Sequence, residues 1–247
     1  MTELNAIYEY IREKAPLDLA ESWDNPGLLV NSGRPVSRVL TCLDITDDTA
    51  REAREKGCEL IVSHHPVIFT PLKALDTHQV PCILLRDGIS AICMHTNLDA
   101  AEGGVNDTLA ALMGLRDAEP FAEGMGRIGT VDEISAADLA KKAAEVLHAR
   151  IKWADGGKPI RRLAMISGGG GSMLQDAIDV GADALLTGEA NHHAAHDARH
   201  AGVSLVVAGH YCTEFPVAAV LADWLRERFP ELEVLVSEQD KDPYNYL

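Results

Sequence analysis

Ala53-Arg-Glu-Lys-Gly57-Cys-Glu59-Leu-Ile-Val-Ser63 and Ala177-Ile-Asp-Val-Gly181-Ala-Asp183-Ala-Leu-Leu-Thr187 match position for position in character. Each is a helix end, a glycine suited to the left-handed turn that closes a helix, an acidic turn residue, and an apolar strand ending in a hydroxyl. A second correspondence follows in the same order. Gly88-Ile-Ser90 leads through a strand to His95-x-x-x-Asp99, and Gly202-Val-Ser204 leads through a strand to His210-x-x-x-Glu214. Two matches in one order read as a duplicated α/β unit, with a first lobe over 1–125 and a second over 126–247.

Working outward, short apolar runs alternate with amphipathic stretches. Strands are expected at Val39–Ile45, Leu60–Ser63, Ser90–Met94, Arg127–Val131, Leu163–Ser167, Ala184–Thr187 and Ser204–Ala208. Helices are expected between them at Asp47–Lys56, Cys82–Asp87, from Gly103-Gly-Val-Asn-Asp107 to Gly114, from Ser135 to His148, and at Met173–Val180 and Asn191–Ala201. A last one covers Pro216–Phe229, and a first stripe of Leu4, Ile7, Tyr8 and Ile11 forms a helix with Thr2 as N-cap and Pro16 as stop. Strands alternating with helices of this length give βαβ units, hence an α/β fold of two similar lobes with mostly parallel sheets.

The 247 residues carry 22 Lys plus Arg against 38 Asp plus Glu, a formal net charge of −16. Such an acidic chain repels polyphosphate backbones, which argues against a general nucleic-acid binder. No apolar run reaches the roughly 20 residues that span a bilayer, and the opening MTELNAIYEYIREKAP has no signal-like apolar core. Five cysteines without a C-x-x-C pair suit a reducing, cytoplasmic setting.

Three strand ends carry metal-ligand residue types: Ser63-His64-His65-Pro66, His95-Thr-Asn-Leu-Asp99 and His210-Tyr-Cys-Thr-Glu214. In parallel sheets, sites form at the carboxyl ends of the strands, where these clusters are placed. At a strand exit, with Pro66 holding His65 extended, both adjacent imidazoles can reach one cavity. Paired imidazoles and carboxylates with two oxygens suit two neighbouring ions, and the donor types favour Zn, Mn, Fe, Co or Ni over calcium. Two divalent ions against two carboxylates leave a net positive pocket, which favours an anionic small molecule such as a phosphate or nucleotide. His95, whose strand ends earlier, is the candidate for orienting a ligand or contacting the substrate.

Other features read less sharply. His192, His196 and His200 share one helix face, without H-E-x-x-H, and read as a solvated face; His196 stands nearest the functional edge. The Gly168–Gly171 loop is either a tight turn or an anion nest, and satisfies neither G-x-G-x-x-G nor the Walker pattern. A nucleophile elbow and the G-N-H-[DE] signature of binuclear phosphoesterases are absent from the sequence.

The chain resembles the GTP cyclohydrolase 1 type 2 homologue family, the Nif-three-like dinuclear metal proteins. The motifs that carry the resemblance are Trp23-Asp-Asn-Pro-Gly27-Leu, Ser63-His-His-Pro66, His95-Thr-Asn-Leu-Asp-Ala-Ala-Glu-Gly-Gly-Val-Asn106, Leu186-Thr-Gly-Glu189, Ala208-Gly-His-Tyr-Cys-Thr-Glu214 and Asp242-Pro-Tyr244. The resemblance implies a short form without the inserted middle domain of some relatives, a dinuclear site between the lobes, and a toroidal homohexamer. It places the metal ligands at His64, His65, Asp99, His210 and Glu214, and departs from the family pattern at Phe215-Pro216, after the last ligand. The expected function is a metal-dependent hydrolase acting on a nucleotide or another phosphorylated small molecule. If the family label describes the reaction, that is GTP ring opening at C8 with loss of formate, His95 moving the proton. The competing expectation is a non-enzymatic metal-binding or regulatory assembly.

Overall fold

A computed structural model of the chain describes residues 1–246. In chain order the elements are α1 (Leu4–Lys14), β1 (Gly27–Val30), β2 (Arg38–Cys42), α2 (Asp47–Glu55), β3 (Leu60–Ser63), α3 (Val80–Asp87), β4 (Ser90–Cys93) and α4 (Thr96–Ala100). Then come α5 (Val105–Leu112), β5 (Arg116–Phe121), β6 (Gly126–Ile134), α6 (Ala136–Val146), β7 (Lys152–Ala154), β8 (Ile160–Ile166), α7 (Leu174–Asp179), β9 (Ala184–Thr187), α8 (His192–His200), β10 (Ser204–Val207) and α9 (His210–Glu214). The final elements are α10 (Val217–Arg228) and β11 (Glu233–Val236).

Two compact units result, one of Met1–Gly104 with Val217–Leu247 and one of Val105–Pro216. The first contains the sheet β1-β4-β3-β2-β11, parallel throughout except at β1. The second contains β5-β6-β8-β9-β10-β7, in which β8, β9 and β10 are parallel and antiparallel strands flank them. The division differs from the one read from the sequence. β11 pairs in parallel with β2, and Thr41 on β2 donates its hydroxyl to the Ala218 carbonyl of α10. The last thirty-odd residues therefore complete the first sheet, although they follow the second unit along the chain.

The repeat is structural as well as sequential. β2-α2-β3-α3-β4 and β8-α7-β9-α8-β10 are parallel three-strand units, and the glycines that end their helices take the same left-handed backbone: Gly57 at φ 68°, Gly181 at 75°, Gly88 at 74° and Gly202 at 68°. The acidic turn residue does the same job in each. The Glu59 carboxylate accepts from the Ser37 and Arg38 N–H groups, and the Asp183 carboxylate accepts from those of Arg161 and Arg162. Their backbone carbonyls then accept from Ser90 and Ser204, the first residues of the third strands. Fully buried aliphatic strands, such as Leu60-Ile61-Val62 and Ala184-Leu185-Leu186, supply the cores of the two units. Each buried Leu, Ile or Val side chain contributes roughly 1.5–3 kcal/mol.

Departures from the expected elements have local causes. Thr2 does not cap α1. Glu3 takes the N-cap position without a side-chain bond, and the Thr2 hydroxyl donates to Glu231 at 2.6 Å. β1, β5, β7 and β11 are short or exposed edge strands without a clean alternation, and so escape a periodicity search. Ser135 does cap α6, accepting from the Asp138 N–H.

Candidate metal centre

In the first unit the site is built at the carboxyl ends of β2, β3 and β4. The parallel register sets Cys42 level with Ser63, so Asp44 and His65 leave their strands side by side. The His65 N–H donates to the Leu43 carbonyl at 2.9 Å, which fixes the exit. β4 ends one residue before Met94, and His95 becomes the N-cap position of α4, whose buried Asp99 faces back to His64. Asn97 holds this turn. Its amide donates to the Ala15 carbonyl at 2.7 Å, and its side-chain oxygen accepts from the His95 N–H at 2.9 Å.

Three imidazoles converge here. The ring centroids of His64, His65 and His95 are separated by 5.0, 5.2 and 5.5 Å, and one ring nitrogen of each lies within 4.8 Å of the others. His64 Nε2 is 3.7 Å from Asp99 Oδ1. The other ring nitrogens decide the chemistry. His64 Nδ1 faces the Met94 carbonyl at 2.9 Å, His65 Nδ1 faces Asp44 at 2.8 Å, and His95 Nδ1 faces Asp24 at 2.7 Å. A carbonyl or carboxylate oxygen only accepts, so each neutral ring carries its hydrogen on Nδ1 and keeps its Nε2 lone pair. Histidines oriented in this way, through a second bond to oxygen, are ready-made metal ligands.

Asp24 is the most constrained of these partners. Oδ1 accepts from His95, and Oδ2 accepts from the Thr96 N–H at 3.0 Å and the Thr96 hydroxyl at 2.5 Å. Burial opposes its charge, but the bonds from His95 and Thr96 outweigh it and hold the carboxyl down at about 2. Asp24→Asn leaves one oxygen for four donors, the Asn25 N–H among them, and turns an amide N–H₂ towards Thr96. We expect it to lose about 2 kcal/mol of stability at neutral pH. The folded-state value lies below the ordinary 3.8, so the unfolded chain takes up the proton first. The stabilisation is complete above about pH 4 and disappears as the pH falls through about 2. Denaturant titrations of both proteins at pH 7 and pH 3 measure it, with the gap narrowing at the lower pH.

In the second unit a separate pair of candidate ligands is carried by the short helix α9. His210 and Glu214 are one turn apart, with Nε2 and Oε2 separated by 2.9 Å, and Glu189 Oε1 lies 3.5 Å from His210 Nδ1. Glu214 is buried. The Gly168 N–H donates to Thr213 Oγ1 at 3.0 Å, and the Gly171 N–H donates to the Glu189 carbonyl at 3.0 Å. These two loop donors are thus committed to protein acceptors. The loop's role is close packing: a Cβ on Gly168 would stand 2.0 Å from Glu214 Oε1 and 3.1 Å from His210 Nε2.

The donor set fits a divalent transition ion. Burial pushes the Cys93 thiol, beside Ser63, up to about 11, and the Cys42 thiol is raised for the same reason, which keeps both protonated at neutral pH. The structure therefore gathers His64, His65, His95 and Asp99 in one unit and His210 with Glu214 in the other. Sequence reasoning missed Asp24 and Asp44, which orient two of the rings. Trp23-Asp24 lay in a quoted motif, but nothing along the chain connects it to His95, 71 positions on.

The chain matches the model of the Duf34/NIF3 (NGG1p interacting factor 3) family over residues 2–243. It belongs to that family. Among curated relatives, a GTP cyclohydrolase 1 type 2 homolog of Clostridium perfringens is 30% identical, covering 99% of this chain and 100% of that protein. The GTP cyclohydrolase 1 type 2 of Helicobacter pylori is 33% identical over 91% of this chain and 92% of its own length. A solved Staphylococcus aureus hypothetical protein superposes with a TM-score of 0.90 at 28% identity, covering 100% of this chain and 99% of that one. A Bacillus cereus protein related to NIF3 shares the fold with a TM-score of 0.91 at 22% identity, again over 100% and 99% of the two chains. The α/β family assignment thus agrees with the resemblance carried by the motifs. No helix among the described residues is long and apolar enough to cross a membrane.

Proposed function

We propose that this family member is a metal-dependent hydrolase that takes two divalent ions per chain and acts on a nucleotide or another phosphorylated small molecule. The observation that carries the reading is the set of three converging imidazoles anchored through Nδ1, with Asp99 Oδ1 3.7 Å from His64 Nε2. His64, His65, Asp99, His210 and Glu214 are the proposed ligands. Divalent ions, when bound, supply an activated water at neutral pH and positive charge for a phosphate.

The chain's own residues do the rest. Asp24 fixes the tautomer of His95, so that His95 Nε2 is the atom that accepts and returns a proton. Trp23 and Phe69, half or more exposed, stand 5.9 Å apart by ring centroid, and each lies within 6.2 Å of the His95 ring. Asn25 ties their two loops together by donating to the Ile68 carbonyl at 2.6 Å. Open aromatic faces beside the proton-handling histidine suit a planar base, which supports a nucleotide over a simple phosphoester.

The names of the relatives point to GTP as the first substrate to test. Protein loaded with Mn(II) or Zn(II) and given GTP is expected to release formate, with His95→Ala losing turnover but keeping its metal content. Absence of formate with either metal removes this reaction. Absence of turnover across a wider nucleotide and phosphoester panel leaves the metal-binding regulatory assembly as the reading. A homohexamer, proposed from the resemblance alone, is read by sedimentation velocity.

A further inference from the structure

A second histidine cluster lies on α8, apart from the residues assigned above. Asn191 caps this helix by accepting from the Ala194 N–H at 2.9 Å, which starts it at His192 and sets His196 one turn on. The two rings pack at a centroid separation of 4.7 Å, and their Nε2 atoms are 3.1 Å apart. Both side chains are exposed. Two neutral imidazoles approach this closely only if at least one Nε2 presents its lone pair to the other, since two N–H groups facing each other repel. With metal–nitrogen bonds of about 2.0–2.1 Å, adjacent corners of a coordination shell are separated by roughly 3 Å, the spacing already present.

We propose that His192 and His196 form a bidentate surface site for a borderline divalent ion, Zn(II), Cu(II) or Ni(II), distinct from the ligand set proposed above. Imidazole-only donors select these metals over Mg(II) or Ca(II). A cleft of about 460 Å³ beside it, lined by Trp153, Ala154, Asp155, Ala195, His196 and Arg199, leaves the remaining coordination positions to water or a small exogenous ligand. The net charge of −16 favours cation approach. The positive end of the helix at His192 works in the opposite direction, so the site is weak and rapidly exchanging. His200, one turn beyond His196, is not part of the pair, and His193 meets the His192 ring at 5.9 Å from a different helix face.

Calorimetric titration of the full chain with Zn(II) tests the assignment. Wild type is expected to show one weak, fast-exchanging site beyond those of the ligand set proposed above. His192→Ala and His196→Ala each weaken that site by about tenfold or more, because either change abolishes the chelate. His200→Ala leaves it unchanged, and the tight sites are unaffected in all three proteins. The same weak site in both variants, or its loss in His200→Ala, overturns the proposal. Crystals soaked in zinc salt add an independent readout, an anomalous peak within bonding distance of both Nε2 atoms; its absence at full soak overturns the chelate even if the ligand set proposed above is filled.

Discussion

His64→Ala is expected to reduce divalent-metal affinity by more than about 100-fold, the largest effect of any single replacement among the proposed ligands. Changing the group that merely orients a metal-bound histidine typically costs 10–100-fold, so removing the donor exceeds that range. His64 is fully buried, with Nδ1 tied to the Met94 carbonyl and Nε2 turned towards Asp99. Its loss removes a donor, opens a void and leaves that carbonyl without its ring partner. Equilibrium dialysis with Zn(II) followed by elemental analysis measures the effect. His95→Ala is the informative companion. If His95 handles protons, its replacement keeps the metal and loses turnover; if the metal leaves as it does from His64→Ala, His95 is a ligand. Wild-type affinity in His64→Ala removes His64 from the centre altogether.

Gly168→Ala is expected to lose about 2–3 kcal/mol of stability and most of the metal affinity, although the substitution adds a single methyl group. Two costs combine. The backbone at Gly168 has φ +54°, a conformation that disfavours any side chain by roughly 1 kcal/mol. The new Cβ would stand 2.0 Å from Glu214 Oε1, so the carboxylate must leave its buried position. Thr213, which accepts from the Gly168 N–H, links the loop to α9 and passes the displacement to His210. Thermal unfolding should show a midpoint lower by roughly 5–10 °C. Metal titration separates the two costs: a destabilised protein with wild-type affinity would mean that Glu214 is not a ligand.

The fold was largely legible in the chain because burial in a parallel sheet imposes its own pattern. Leu60-Ile-Val and Ala184-Leu-Leu are continuous apolar runs between a left-handed glycine and a hydroxyl, and β3 and β9 start and end where those runs do. β7, three residues pairing antiparallel with β10 and exposed but for the half-buried Ala154, carries no such pattern, because an edge strand is specified by its neighbour's open backbone groups and not by its own side chains. The first lobe's limits were misplaced for a related reason. β11 adds to β2 by backbone register, with Val234 beside Val39, and nothing in Glu233–Val236 announces which of two similar sheets it will join.

What the sequence determined by itself is the duplicated βαβ frame, the left-handed glycines and the placing of histidines and carboxylates at strand ends, since backbone conformation and hydrophobic burial act on neighbours along the chain. What only the tertiary structure decided is the pairing of His95 with Asp24 and of His65 with Asp44, the close approach of Gly168 to Glu214 and the contact of His192 with His196. Those depend on directions and on distances of a few ångströms. A hydrogen bond that fixes a tautomer, or a Cβ that would collide with a carboxylate, is set by the packing of elements far apart in sequence or by a rotamer choice, and neither is written in residue type or spacing.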